Sequence, residues 1–578
     1  MSQQGSTGAG SKACVPVSRQ AEDMDQLHGP NAFIGLNRRG LLSTTEMLLQ
    51  QVRSKPNTTW KRVTSFGNQF KDIINGRSEL APDKKDKRFE DVTWQENGLY
   101  RKALQTYLAA SMEINQWLDD IDINDHDRSR ANYLLSLAID ALSPSNLPTN
   151  PVAIKRAIET GGASAVQGVR NLWDDFRNNG SLPLQVDKSR FRLGENVART
   201  PGKVVYRHAM FELIQYLPQS EKVREKPLLI SPPQINKFYI FDLSERASLV
   251  DHYLKAGFQV FIVSWRNPDK KFAYWGLESY VEALESAVDV TCAISETESC
   301  NVMGGCSGGI TLSVLVGYLA AKKKSTINSL TLLVCILDPS AETSLGLFAS
   351  GEAIDYARKY SQKKGVLSGN DFARTFSWLR PNDLIWNYWV NNYLLGKKPP
   401  AFDILFWNCD TTNIPAQLHS DFLDLFVHDD QIAKGKMKIG GYAIDLQEIN
   451  VDLFSVAGVT DHITPWQGCY QTANLFGGRK TFVLSNSGHI QSILNPPGNP
   501  KAKFFVNDEM PPSPTQWKAE ANLQEGSWWA SWEAWLNQRS GELVEAKSQL
   551  GNNHFQPLED APGSYVMKGY KATRKDNG

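Results

Sequence analysis

The segment NVMGGCSGGI, Asn301 to Ile310, sets two nucleophilic side chains among glycines. Counted from Gly304 it reads G-x-C-x-G around Cys306; counted from Gly305 it reads G-x-S-x-G around Ser307. Either pattern suits a strand that bends sharply into a helix and lifts the central residue above a sheet, with glycines where a Cβ would collide with strand or helix. The Cys306 register carries a further glycine, Gly309, on the helix side, whereas two glycines follow Ser307 at once. Cys306 is the better fit. The backbone N–H of Ser307 then falls where the residue after a nucleophile contributes to an oxyanion hole. On the motif alone, a plain strand-to-helix connection around a small buried cysteine is an equal competitor.

A nucleophile of this kind needs a base, and the base needs an acid, which follow in the order nucleophile, acid, base on an α/β-hydrolase sheet. Asp461 closes LFSVAGVTDHITP, an apolar run that ends in a carboxylate and a proline turn. His489 closes FVLSNSGHI, a second such run, and of nine histidines it alone has this context. Two rivals stand beside them. His462 adjoins the acid and is better read as a packed turn residue, since an immediate neighbour cannot easily accept its bond and also reach the nucleophile. Asp338, at the end of LLVCILD, is a minor alternative acid; spacing to His489 favours Asp461.

These residues need a sheet beneath them. KPLLISPP, FQVFIVSW, SCNVMGG, LTLLVCILD, DLFSVAGVTD and KTFVLSNSGH are near-continuous apolar runs of strand length, as expected of strands buried on both faces. Separated by helical stretches from about Val204 onward, they predict an α/β fold with a parallel sheet. The aromatic-rich interval 341–444 breaks the alternation and predicts an inserted lid or cap. Between about Gly40 and Phe176 a helical period dominates, as in LYRKALQTYLAASMEINQWLDD. The expected organisation is a disordered 1–30, a helical domain over 31–200, a catalytic domain over 201–565 and a flexible tail over 566–578.

Bulk properties narrow the function classes. With 578 residues the chain needs more than one small core. Lys+Arg and Asp+Glu both total 62, so no basic field points to nucleic acid. Seven cysteines form no CxxC pair and no His-spaced cluster, which argues against a disulfide scaffold and a metal site. No apolar run approaches membrane-spanning length, and the start lacks a signal-peptide core, so a soluble cytoplasmic location is expected.

GGCSGG, DHITPW and SGHIQSILNPPGNP, with PPQINKFYIFDLS, FIVSWRNP and RPNDLIWNYWVNNYLLG, together resemble the polyhydroxyalkanoate synthases, from about Asn31 to Tyr565. FDILFWNCDTT and the chain length resemble the class II enzymes, which favour medium-chain (R)-3-hydroxyacyl-CoA. The resemblance implies an α/β-hydrolase fold, with Cys306 as nucleophile, Asp461 as acid and His489 as base. It further implies a growing polyester as product, release of coenzyme A, no cofactor, a homodimer, granule-associated proteins as partners, and a place at the surface of polyester granules. Cys335, where Ser is expected in close relatives, and Gln491 fall at positions near the family's acyl pocket that tune chain-length preference. Asn486 is a second departure.

A thiol suits that chemistry, because thiolate attack on a thioester gives another thioester and the acyl group stays activated. An ordinary cysteine titrates near ~8.5, so the base must take its proton. Water competes for the acyl-enzyme, and the aromatic segment from Trp378 to Trp407 is placed to exclude it. Trp528, Trp532 and Trp535 share one helical face, read either as a polymer contact or, preferably, as a docked terminal helix. Arg266 is a weak candidate for a coenzyme A phosphate. The competing functions are a cysteine-dependent thioesterase or depolymerase, and a non-catalytic granule-binding protein in which Cys306 is structural.

Overall fold

The structure, a computed structural model, describes residues 38–179, 182–338, 351–379, 381–427, 432–461 and 463–568. The expected disorder of 1–30 and most of the expected flexible tail lie outside the described residues.

An eleven-stranded sheet organises the described residues. In chain order its strands are β1 (Gly202–Arg207), β2 (Phe211–Tyr216), β3 (Leu228–Ser231), β4 (Val260–Trp265), β5 (Cys300–Gly305), β6 (Ile327–Leu333), β7 (Asp452–Gly458), β8 (Lys480–Ser485), β9 (Lys503–Val506), β10 (Asn522–Glu525) and β11 (Glu559–Asp560). The spatial order is β10-β9-β8-β7-β6-β5-β3-β4-β2-β1-β11. The six strands from β8 to β4 run parallel. Antiparallel strands flank them on both sides. The six parallel strands are the six apolar runs of the sequence; the flanking antiparallel ones lie outside those runs. A short turn at His208–Met210 joins β1 to β2, which suffices for an antiparallel pair, whereas a parallel pair needs a crossover.

The apolar runs are continuous because both faces are covered. Leu229, Phe261 and Val263 enter one core with the helices α6 (Leu277–Ser295) and α7 (Ser307–Ala321). Their neighbours Leu228, Ile230, Val260 and Ile262 enter a second core, which holds Trp528, Trp529 and Trp532. Successive side chains point to opposite faces of a strand, so adjacent residues divide between the two cores.

Among the described residues five longer helices precede the sheet: α1 (Arg38–Ser54), α2 (Pro56–Ile74), α3 (Gly98–Asp120), α4 (Asp125–Ala141) and α5 (Ala163–Asn178). Asn97 starts α3 by accepting from the Leu99 and Tyr100 N–H groups, and Asn124 does the same for α4 through Asp127. α5 is held against the interval between β6 and β7: a Cβ on Gly168 would stand 1.8 Å from the Tyr393 carbonyl oxygen, and the Tyr393 hydroxyl donates to Asp175 at 2.8 Å. That interval holds the helices α8 (Gly351–Lys364), α9 (Gly369–Leu379) and α10 (Ala416–Val427). Of its aromatics, Tyr388, Tyr393, Phe402, Phe406 and Trp407 are buried. The side chain of Trp378 lies outside the described residues. Among the described residues no helix is long and apolar enough to cross a membrane.

Candidate active site

Cys306 sits between the end of β5 and the start of α7 with φ 48° and ψ −123°. A side chain at positive φ is uncommon and strained, and the surroundings must over-determine it. They do: the Cys306 N–H donates to the Leu333 carbonyl at 2.8 Å, and its own carbonyl accepts from Gly309 and Ile310. The glycines are close-packing positions. A Cβ on Gly304 would stand 2.6 Å from the Gly309 α-carbon, and one on Gly308 2.4 Å from the Ser231 oxygen. Ser307 is buried, and its hydroxyl has no hydrogen-bond partner among the described residues. Its backbone N–H is in the first turn of α7, where helical donors have no partner within the helix.

β5, β7 and β8 are parallel, so their C-terminal ends share one edge of the sheet. Asp461 follows β7, and His489 opens the short helix α12 (His489–Ile493) after β8; α11 (Trp466–Asn474) lies between these two strands. His489 Nδ1 donates to Asp461 Oδ2 at 2.8 Å, and both side chains are almost wholly buried. The Cys306 sulfur lies close enough to the ring to act on its charge. With Nδ1 facing the carboxylate, Nε2 is the nitrogen left for the sulfur. The carboxylate beside the ring is that of Asp461; Asp338 lies on the segment after β6, and His462 lies outside the described residues.

Burial opposes charge on this ring. The Asp461 carboxylate and the Cys306 sulfur outweigh it and hold the imidazole well above its ordinary pKa. Burial likewise works to raise the Asp461 carboxyl; the charge of His489, with hydrogen bonds from His489 and Thr464, instead keeps it below the usual range. Thr464 is the residue that sequence reading missed. Its hydroxyl donates to Asp461 Oδ2 at 2.6 Å and lies 3.1 Å from His489 Nδ1, while the Ile463 and Thr464 N–H groups donate to Oδ1, each at 2.9 Å. The available signal was its place three residues after Asp461, where a carboxylate commonly caps a turn.

Two more buried thiols lie nearby. The Cβ that Gly309 lacks would meet the Cys335 sulfur at 3.0 Å, and burial with the neighbouring Cys306 pushes the Cys335 thiol well above its ordinary value. Cys469, on α11, donates to the Thr464 carbonyl at 3.5 Å. Gln491 is buried one residue beyond Ile490 on α12. Asn486 has a structural use, bonding the Lys501 carbonyl and the Lys503 N–H across the β8–β9 turn.

Two other candidates are placed differently. Arg266 donates to the Tyr565 hydroxyl at 2.7 Å and lies 4.3 Å from that ring's centre, so its charge serves an internal contact with the C-terminal segment. On α13 (Trp528–Asn537), Trp528, Trp532 and Trp535 are buried, Trp535 against Phe454, which agrees with the preferred reading of a docked helix. Among the described residues no three His, Cys, Asp or Glu side chains gather where they would hold a metal ion.

Over residues 85–253 the chain matches the family model for the poly-beta-hydroxybutyrate polymerase (PhaC) N-terminus, and over 234–496 that for the alpha/beta hydrolase fold. It is 46% identical over 550 residues to poly(3-hydroxyalkanoate) polymerase 1 of Ectopseudomonas oleovorans, covering 95% of this chain and 98% of that one. It is 49% identical over 538 residues to polymerase 2 of the same organism, covering 93% and 96%. To the poly(3-hydroxyalkanoate) polymerase subunit PhaC of Cupriavidus necator it is 38% identical over 510 residues, covering 87% and 86%.

Proposed function

Because the chain belongs to the poly(3-hydroxyalkanoate) polymerases, an acyltransferase family, we propose that it joins (R)-3-hydroxyacyl units from their coenzyme A thioesters through an acyl-thioester on Cys306. The observation that carries this reading is the buried imidazole of His489, 2.8 Å from Asp461 and under the influence of the Cys306 sulfur.

In the first half-reaction His489 Nε2 takes the Cys306 proton and the thiolate attacks the thioester carbonyl. Charge moves to the carbonyl oxygen, for which the Ser307 N–H is the candidate donor. The bond to coenzyme A breaks, its sulfur takes the proton from the imidazolium, and the acyl group stays on Cys306. In the second half, the 3-hydroxyl of another unit attacks that acyl carbon and gives its proton to His489. The carbon–sulfur bond breaks, an ester forms, and the Cys306 sulfur recovers a proton. Asp461 holds the ring and offsets its positive charge in both halves. No cofactor is required, since the thioester supplies the activation.

Water must be kept from the acyl-enzyme, and the buried aromatics between β6 and β7 support a cap with that role. Medium-chain units, a pocket tuned by Cys335 and Gln491, a homodimer, and work at the surface of cytoplasmic granules with their associated proteins complete the proposal.

The test supplies (R)-3-hydroxyacyl-CoA of several chain lengths and follows released thiol, insoluble polymer and the mass of the Cys306 peptide. The wild type should release coenzyme A, deposit polymer and show an acyl adduct on Cys306, and Cys306→Ala should do none of these. Release by Cys306→Ala at the parental rate would overturn the proposal; free hydroxy acid in place of polymer would select a thioesterase.

A further inference from the structure

We propose that Thr464 is a positioning residue whose hydroxyl fixes His489 in the form protonated at Nδ1, leaving Nε2 turned to Cys306. The inference rests on the triad reading above and extends it to a side chain outside the triad.

The argument is a count of protons. Asp461 Oδ1 is held by two main-chain donors, Ile463 and Thr464, each at 2.9 Å, so the turn secures that oxygen without any help from the Thr464 side chain. Oδ2 is the oxygen that faces the imidazole; it accepts from the Thr464 hydroxyl at 2.6 Å and lies 2.8 Å from His489 Nδ1. Thr464 has one hydroxyl proton, and Oδ2 takes it. Toward His489 Nδ1, 3.1 Å away, the hydroxyl then presents only lone pairs. Two acceptors converge on one ring nitrogen, which is favourable only when that nitrogen carries the proton. The other tautomer would set the Nδ1 lone pair against both oxygens.

The surroundings keep this arrangement in place. Thr464 is 7% exposed and Asp461 and His489 are each 5% exposed, so water cannot substitute for the hydroxyl. The Thr464 carbonyl is occupied by the Cys469 thiol at 3.5 Å. Among the described residues, the titratable groups that bear on the pair are Cys306 and Cys469, with Cys335 beside both thiols.

Thr464→Val keeps the branched shape and removes the hydroxyl; Thr464→Ser keeps the hydroxyl and loses a methyl. Without the Thr464 donor, Oδ2 binds a proton more readily, and the ring is freer to rotate or change tautomer. The readout is the rate at which iodoacetamide alkylates Cys306, followed by peptide mass from about pH 4 to 10, alongside coenzyme A release from (R)-3-hydroxyacyl-CoA. For Thr464→Val we expect alkylation and kcat to fall about tenfold with KM unchanged. The acid limb of both profiles should move toward neutral pH by about one unit. Thr464→Ser should restore both.

A folded Thr464→Val protein with wild-type rate and profile would overturn the inference, as would a loss that Thr464→Ser does not restore. Alkylation does not depend on the polymerase chemistry. If Cys306→Ala still released coenzyme A while the Thr464→Val alkylation shift appeared, the acyl-cysteine reading would fail and the positioning role would stand.

Discussion

The α-carbon of Gly308 faces the Ser231 main-chain oxygen so closely that a Cβ there would lie 2.4 Å from it, with the Pro232 oxygen at 2.5 Å. Those oxygens belong to the end of β3 and the turn after it, so neither can swing away as a side chain would. Gly308→Ala should therefore push α7 off the sheet and carry the Cys306 turn with it. We expect a loss of about 2–4 kcal/mol of stability in urea unfolding, together with loss of coenzyme A release. Gly305→Ala meets only the edge of the Phe241 ring, at 3.2 Å, and should cost less.

The buried pair of His489 and Asp461 gives stability a defined pH window. The His489 pKa is raised in the folded state, so its contribution is complete below the unfolded value of about 6.5 and is lost as pH rises through the folded one. Asp461 is lowered, so its contribution is present above about 3.9 and is lost as pH falls through the folded value. The stability gap between wild type and His489→Gln should be widest between about pH 4 and 6.5 and narrow on the alkaline side. Denaturant titrations at a series of pH values measure it; a gap that widens toward pH 9 would contradict the assignment.

The placement of Cys306, Asp461 and His489 after three parallel strands was legible because each requirement is local: glycines flank the strained turn, and each of the other two closes its own apolar run. The six central strands were legible for the same reason, since burial on both faces keeps them predominantly apolar, with a few buried polar residues such as Ser264, Asn301 and Thr331. Thr464 was not legible, because its use depends on which Asp461 oxygen faces the ring. The tryptophans of α13 show the limit of periodicity, which marks an apolar face without saying what covers it. The contact of Arg266 with Tyr565 was not legible either, since its partner lies 299 residues later in the chain.

That contact makes a prediction about substrate binding. The Arg266 guanidinium donates to Tyr565, whose hydroxyl donates in turn to the His208 carbonyl at 3.0 Å, and the buried Lys237 ammonium donates to the carbonyls of Val566 and Lys568. Arg266→Gln should loosen this C-terminal segment and leave KM for acyl-CoA unchanged. Limited proteolysis at Lys568 should quicken; a severalfold rise in KM would restore Arg266 as a coenzyme A contact.

Trp532 tests whether the apolar face of α13 is core or contact surface. Its ring is fully buried, packs against Tyr253 with centroids 4.5 Å apart, and its Nε1 donates to the Thr331 hydroxyl at 2.8 Å. Thr331 lies on β6, so this bond ties α13 to the middle of the sheet. Trp532→Phe removes the donor and part of the ring, leaving a buried hydroxyl with one partner fewer and a cavity beside it. The expected cost is about 2–4 kcal/mol in urea unfolding. Adsorption of the folded protein to polyester particles should be unchanged, since none of the lost surface faces outward; weakened adsorption at unchanged stability would return this helix to the role of a polymer contact.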